Sequence, residues 1–151
     1  YKLVALDENG TWIPAIKVSD TPEKVPIPGD KQIWRLYDSR GRATADVVAL
    51  PGETLSDGEI VLHHPYREGV FRKIDRSEIT RVEDLLTAVF VGGRRTGPAP
   101  DLEEMRMRRI QDLDRLDVGV RRLVNPHIYH VSLTERIKAL QARLVEDARG
   151  T

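Results

Sequence analysis

The chain predicts an α+β fold, with β-hairpins and a small β-rich domain followed by two C-terminal helices. Three observations carry that prediction. Alternating or β-branched runs separated by Gly, Pro, Asn and Asp fill the chain up to Gly97-Pro98. After Pro98 the apolar period lengthens to that of a helix, and Asp101 with Glu104 and Ser132 with Glu135 each have capping-box spacing.

Leu3 to Leu6 form a short apolar strand, and Asp7-Glu8-Asn9-Gly10 turns it into a second strand, Trp12 to Val18. Pro14 within that second run assigns it to an edge or a bulge, because proline donates no ladder hydrogen bond. Pro22, Pro26 and Pro28 restrict φ along an extended loop that ends at Gly29. A second hairpin joins Gln32–Asp38 to Ala43–Leu50 through Ser39-Arg40-Gly41-Arg42, with Gly41 at positive φ. Ile33, Leu36, Val47 and Val48 supply its buried contacts, and Trp12 and Trp34 are expected as core or interface anchors.

Pro51-Gly52 opens a polar connector, the expected boundary between a first unit, 1–50, and a C-terminal β-plus-helix cap, 51–151. Further strands are expected at Ile60–His64, Val70–Ile74 and Leu85–Val91. Leu102, Met105, Leu113, Leu116, Val120 and Leu123 define a helix from Asp101 to Val124, with Gly119 marking a break. Leu133, Ile137, Leu140 and Leu144 recur on one face of a last helix, Leu133 to Arg149, with Gly150 at its C-terminal cap.

At 151 residues the chain is long enough to bury a core without covalent staples. It contains no cysteine, which excludes disulfides, thiolate metal sites and a cysteine nucleophile and fits a reducing cytoplasm. Its 24 basic and 24 acidic residues cancel, which argues against a nucleic-acid partner. No apolar run approaches the roughly 20 residues that span a bilayer, so no membrane partner is expected.

Most chemical constellations fail on spacing. His63 and His64 are adjacent in a strand and point to opposite faces, so they cannot share one metal ion. His127 and His130 flank Tyr129 in an extended lead-in to the last helix, where packing and hydrogen bonding are the expected roles. No Gly-x-Ser-x-Gly elbow accompanies the serines. The arginines between 101 and 125 are offset by carboxylates on the same predicted helix. What remains is the basic loop: Lys2, Lys17, Lys24 and Lys31, with a turn centred on Gly29, are groups that suit a phosphorylated ligand.

Ile16-Lys17-Val18-Ser19, then Pro22, Lys24, Pro28-Gly29 and Lys31, and the strand Ile33–Tyr37 resemble the C-terminal portion of bacterial nicotinate phosphoribosyltransferases. Tyr1-Lys2-Leu3-Val4-Ala5 resembles the strand leaving that family's barrel, and Arg121-Arg122-Leu123-Val124-Asn125-Pro126-His127-x-Tyr129 resembles a motif near its C-terminus. The resemblance implies an enzyme that makes nicotinate mononucleotide from nicotinate and phosphoribosyl pyrophosphate, using ATP and Mg, as a cytoplasmic homo-oligomer of dimer type. It implies that the catalytic groups, including a histidine that becomes phosphorylated, lie in an N-terminal portion absent from this sequence. The start at Tyr1, where the residues already read as the middle of a strand, is likewise expected of a fragment. Lys17, Ser19, Lys24 and Lys31 are the substrate-binding candidates; no catalytic, metal or cofactor residue is expected in this segment itself. The alternative is a stand-alone binding or assembly domain without catalysis.

Overall fold

The computed structural model describes residues 1–150. β1 (Ala5–Glu8) and β2 (Thr11–Pro14) form a two-stranded sheet of their own. Their turn is only two residues, Asn9 and Gly10, both at positive φ, so Asp7 and Glu8 stay in the strand rather than in the turn expected for them. The hairpin also stops short of Val18. The Val4 carbonyl accepts from both Ala15 N–H (2.9 Å) and Gly29 N–H (2.7 Å), so the loop that follows takes the place of further ladder.

β3 (Gln32–Tyr37) and β4 (Ala43–Ala49) are the expected second hairpin, with Gly41 at φ 71°. The Asp38 carboxylate accepts from the N–H groups of Arg40 (2.9 Å) and Arg42 (2.8 Å), which fixes that turn. β5 (Glu59–His63) and β6 (Phe71–Asp75) form a third hairpin. β7 (Arg81–Asp84) then lies antiparallel to β3. It ends where a strand over 85–91 was expected to begin. Leu85 N–H to the Ile33 carbonyl (2.9 Å) is its last tie to the sheet, and Leu86 and Val89 beyond it are exposed. A small ladder, β8 (Phe90–Val91) with β9 (Arg94–Arg95), turns on Gly92 and Gly93.

Next come α1 (Leu102–Asp114), β10 (His130–Leu133) and α2 (Glu135–Arg149). The capping box on α1 forms as its spacing predicts: the Asp101 carboxylate accepts from Glu104 N–H (2.8 Å), and Glu104 accepts from Asp101 N–H (2.9 Å). The helix stops at Asp114 instead of reaching Val124, because the chain bends to β4, where Ala43 N–H takes the Arg115 carbonyl (2.8 Å). The second box does not form. Ser132 is buried inside β10, and Thr134 is the N-cap of α2 with its hydroxyl engaged by the Glu53 carboxylate (3.1 Å).

The six-stranded sheet has the order β6-β5-β10-β4-β3-β7. The late strand β10 sits at its centre, parallel to β4 and touching β5 at Leu133↔His63. The expected division at 50/51 therefore runs through one sheet, since β3 and β4 share it with β5, β6, β7 and β10.

Alternation divides the core. Trp34, Leu36, Val47, Ile60, Leu62 and Ile74 cluster on one face, closed by Ile79 and Leu55. On the other, Val48 and Leu133 meet Ile137 of α2, flanked by Ile27, Ile33 and Leu50. Trp34 is thus a core residue, whereas Trp12 is 56% exposed on its hairpin. Gly29 joins the first hairpin to this core. It has φ +82°, and a Cβ there would lie 3.4 Å from a methyl of Leu140 and 3.7 Å from one of Leu50.

Ile137→Ala is expected to lower unfolding free energy by about 2–5 kcal/mol, the cost of a vacated core site, whereas Leu113→Ala on α1 stays within roughly 0.5 kcal/mol in the isolated chain. Denaturant unfolding at unchanged m-value checks the contrast.

Candidate functional site

The richest polar constellation lies on the sheet face that carries α2, at the end α2 leaves uncovered. Register places Arg35 opposite both Asp46 and Glu83. The Arg35 guanidinium donates to the two Asp46 oxygens at 2.8 and 2.9 Å, a bidentate pair with both side chains about 15% exposed. The Tyr129 hydroxyl donates to the same carboxylate at 2.9 Å. Burial, then the hydrogen bond to Asp46, pushes the Tyr129 phenol well above its ordinary value. The hydrogen bond that Arg35 donates to Asp46 raises the Arg35 pKa and keeps the guanidinium charged.

A second tier adjoins it. Tyr37 donates its hydroxyl to Glu83, Arg81 stacks 3.5 Å from the Tyr37 ring centroid, and Arg115 reaches Glu83 (3.5 Å) and Asp112 (3.4 Å). The Tyr37 hydrogen bond, aided by Arg115 and Arg81, holds the Glu83 carboxyl below the usual carboxylate range. A cleft of about 410 Å³ opens here between the sheet and α1, lined by Arg35, Glu83, Asp84, Arg108, Asp112 and Arg115. Its three basic and three acidic side chains balance, and Arg35, Glu83, Asp112 and Arg115 engage one another, so it offers architecture more readily than a free anion site.

The candidate residues from the basic loop do not converge on this cleft. Lys31 folds back on its own loop, its amine donating to the carbonyls of Ile27 (3.1 Å) and Gly29, and burial lowers its pKa. Ser19 lines a different groove of about 670 Å³, bounded by Pro65, Tyr66, Lys138, Gln141 and Val145, and its hydroxyl accepts from Thr21 N–H (3.3 Å). Lys17 and Lys24 are exposed on the loop, and among the described residues neither amine has a hydrogen-bond or ion-pair partner. The two lysines line neither groove.

The Arg121–Tyr129 segment acquires a structural meaning that its sequence did not disclose. Arg121 pairs with Asp114 (3.0 Å), His127 N–H donates to the Gly119 carbonyl (2.9 Å), and Tyr129 closes on Asp46. His127 lies so close to Gly119 that a Cβ there would be 2.3 Å from its Nδ1. The segment straps the end of α1 to the centre of the sheet. Arg35 and Asp46 were the residues missed; the available signal was a charge in the middle of each apolar strand. His63 and His64 do separate: the His64 Nδ1 accepts from the N–H groups of Tyr66 and Arg67 (3.1 Å each), while His63 lies tilted against Phe71. Among the described residues no three His, Asp or Glu side chains converge to hold a metal ion.

An α+β domain whose least exposed ion-paired charges, Arg35 and Asp46, are spent on each other has the character of a supporting domain of a larger enzyme. The family model described as "Nicotinate phosphoribosyltransferase C-terminal domain" matches residues 30–141, which contain the whole six-stranded sheet, and the chain belongs to that family. It is 34% identical over 151 residues to the nicotinate phosphoribosyltransferase of Bos taurus, covering 99% of this chain and 26% of that protein. The Bacillus subtilis nicotinate phosphoribosyltransferase is 27% identical over 157 residues, covering 97% of this chain and 31% of that protein. The crystal structure of human nicotinic acid phosphoribosyltransferase superposes with TM-score 0.64 and 31% identity, over 78% of this chain and 23% of that one. The chain thus spans about a quarter to a third of these relatives. Lys17, Ser19 and Lys24 precede the matched residues, and Lys31 lies within them.

Because Glu83 titrates below its ordinary value of 4.5 in the folded chain, its contribution to stability is full above that pH and is lost as pH falls through the lowered value. Tyr37→Phe removes the principal cause, so the acid-side loss of unfolding free energy is expected to be shallower than in the wild type. Urea unfolding between neutral and acid pH measures it.

Proposed function

We propose that this chain is the C-terminal domain of an enzyme that forms nicotinate mononucleotide from nicotinate and phosphoribosyl pyrophosphate, a step in pyridine nucleotide biosynthesis. The observation that carries this reading is the similarity to nicotinate phosphoribosyltransferases along 99% of the chain. In that reaction the pyridine nitrogen bonds to the anomeric carbon of the ribose as the bond to pyrophosphate breaks, and pyrophosphate leaves. Coupled ATP hydrolysis and Mg belong to the complete enzyme, in a cytoplasmic homo-oligomer. Among the described residues no converging donor set for Mg is present, and no step is assigned to the ion.

The part this domain plays is to support and border the site. The hairpin of β1 and β2 stands apart from the six-stranded sheet and exposes Leu6, Trp12 and Ile13, as a hairpin completing a domain built by the preceding portion would. The loop after it carries Lys17 and Lys24, whose amines are free of partners among the described residues, cations suited to a ribose phosphate or to departing pyrophosphate. Ser19 and Lys31 belong to the same proposal in different roles: Lys31 stiffens the loop, and Ser19 hydrogen-bonds to its backbone.

The intact mass of the natural protein and its turnover of nicotinate and phosphoribosyl pyrophosphate, with and without ATP, test the reading. A mass well above 17.1 kDa with turnover is expected; a mass near it without turnover supports a stand-alone binding domain instead. In the complete enzyme, replacing both Lys17 and Lys24 by Ala is expected to lower kcat/KM for phosphoribosyl pyrophosphate by about tenfold or more, as loss of charge-assisted contacts does, while unchanged kinetics would remove both from the site.

A further inference from the structure

Helix α1 is inside out. At about 100° per residue, Leu102, Met105, Ile110 and Leu113 fall within an arc of roughly 140°, while Arg108, Gln111, Asp112 and Arg115 occupy a separate arc of roughly 100°. The polar arc is the one turned to the domain: these four side chains line the cleft against Arg35, Glu83 and Asp84, and Asp112 lies 3.7 Å from Arg35. The apolar arc is left in solvent, with Leu102 64%, Met105 52%, Ile110 46% and Leu113 37% exposed, and no residue of the helix is buried. An amphipathic helix in a finished fold directs its apolar stripe at the core. Here the stripe is directed away from it.

We propose that this stripe docks against the preceding portion of the nicotinate phosphoribosyltransferase chain, on an apolar groove rimmed by carboxylates. Two observations select that occupant. This chain covers 26% of the Bos taurus relative, so about three quarters of that protein lies outside the match, and the matching family is named as the C-terminal domain, so a large body of protein precedes the domain there. The stripe is also basic: Arg106 and Arg109 fall within the apolar arc, and Arg106 has only a distant, exposed contact with Glu103 (3.7 Å). Antiparallel pairing with a second copy of α1 would bring Arg106 and Arg109 of both helices into the same middle turn, a like-charge arrangement that opposes self-association. A mixture of Met, Arg and large aliphatic side chains suits the buried centre of an interface, where acidic partners complete the guanidinium groups.

This inference rests on the proposed enzyme, and its test has a separate readout. The chain has no cysteine, so single cysteines report cleanly on it. In the natural protein, Leu113→Cys on the stripe and Met107→Cys off it occupy positions of similar exposure, 37% and 45%, in this domain. Maleimide labelling is followed by peptide mass spectrometry, with Leu102→Cys as a second stripe probe. The docking predicts labelling at the stripe at least about tenfold slower than at 107, unchanged on dilution, as in a contact within one chain. Equal rates would overturn it. Protection that fades on dilution would overturn it too, by making a second copy the occupant. Turnover of the unsubstituted protein is read independently: without it but with slow labelling, the enzyme reading fails and the contact stands, and turnover with equal labelling removes the contact alone.

Discussion

The fold depends on the placement of β10. The two hairpin systems, β5–β6 and β3–β4 with β7, share no ladder with each other; the strand that reaches both is the last in the sequence. It is held to β4 by four residue pairs, His130↔Ala45 to Leu133↔Val48, and to β5 by one. Leu133 then hands the chain to α2, whose Ile137 covers the same two residues, Val48 and Leu133. Such a pairing closes a loop of some eighty residues, and the loop-closure entropy is recovered only when the strand and helix settle together.

The polar constellation serves this placement. Arg35, Asp46 and Tyr129 tie β3, β4 and the lead-in to β10 at one point. A one-residue slip of β3 would carry Arg35 to the face occupied by Trp34 and Leu36, where a guanidinium has no partner, so the ion pair specifies register more than it adds stability. The Arg121–Tyr129 strap brings β10 to its slot through Gly119, His127 and Tyr129. These charges thereby become architecture. Lys17 and Lys24, exposed on the N-terminal loop, stand outside this architecture.

The hairpin over Gln32–Ala49 was legible because its signals are local: alternation on both sides of a four-residue turn with one Gly at positive φ. The Asp101 capping box was legible for the same reason. Where tertiary partners decide, sequence reasoning misplaced the elements. Ser132 has the spacing of an N-cap, yet the centre of the sheet claims it, and Thr134 takes the cap position with its hydroxyl on Glu53. Leu85 to Val91 reads as a strand and instead leaves the sheet at Leu85, with the sheet strand formed by the charged Arg81–Asp84. The helical period from Leu116 to Leu123 described a helix that the tie between Arg115 and Ala43 ends first. Of the site candidates, sequence chemistry marked the loop but not its internal economy, because only coordinates show that the Lys31 amine turns back onto the carbonyls of Ile27 and Gly29. The family resemblance reached further than the residue patterns, since it draws on the whole chain.

Native-state hydrogen exchange across the sheet tests the central role of β10 most directly. If this strand unites the two hairpin systems, the amides of β3, β4, β5 and β10 open with one common free energy, equal to that of global unfolding. An opening of β5 and β6 that is several-fold easier than that of β3 and β4, with β10 remaining protected, would contradict the account.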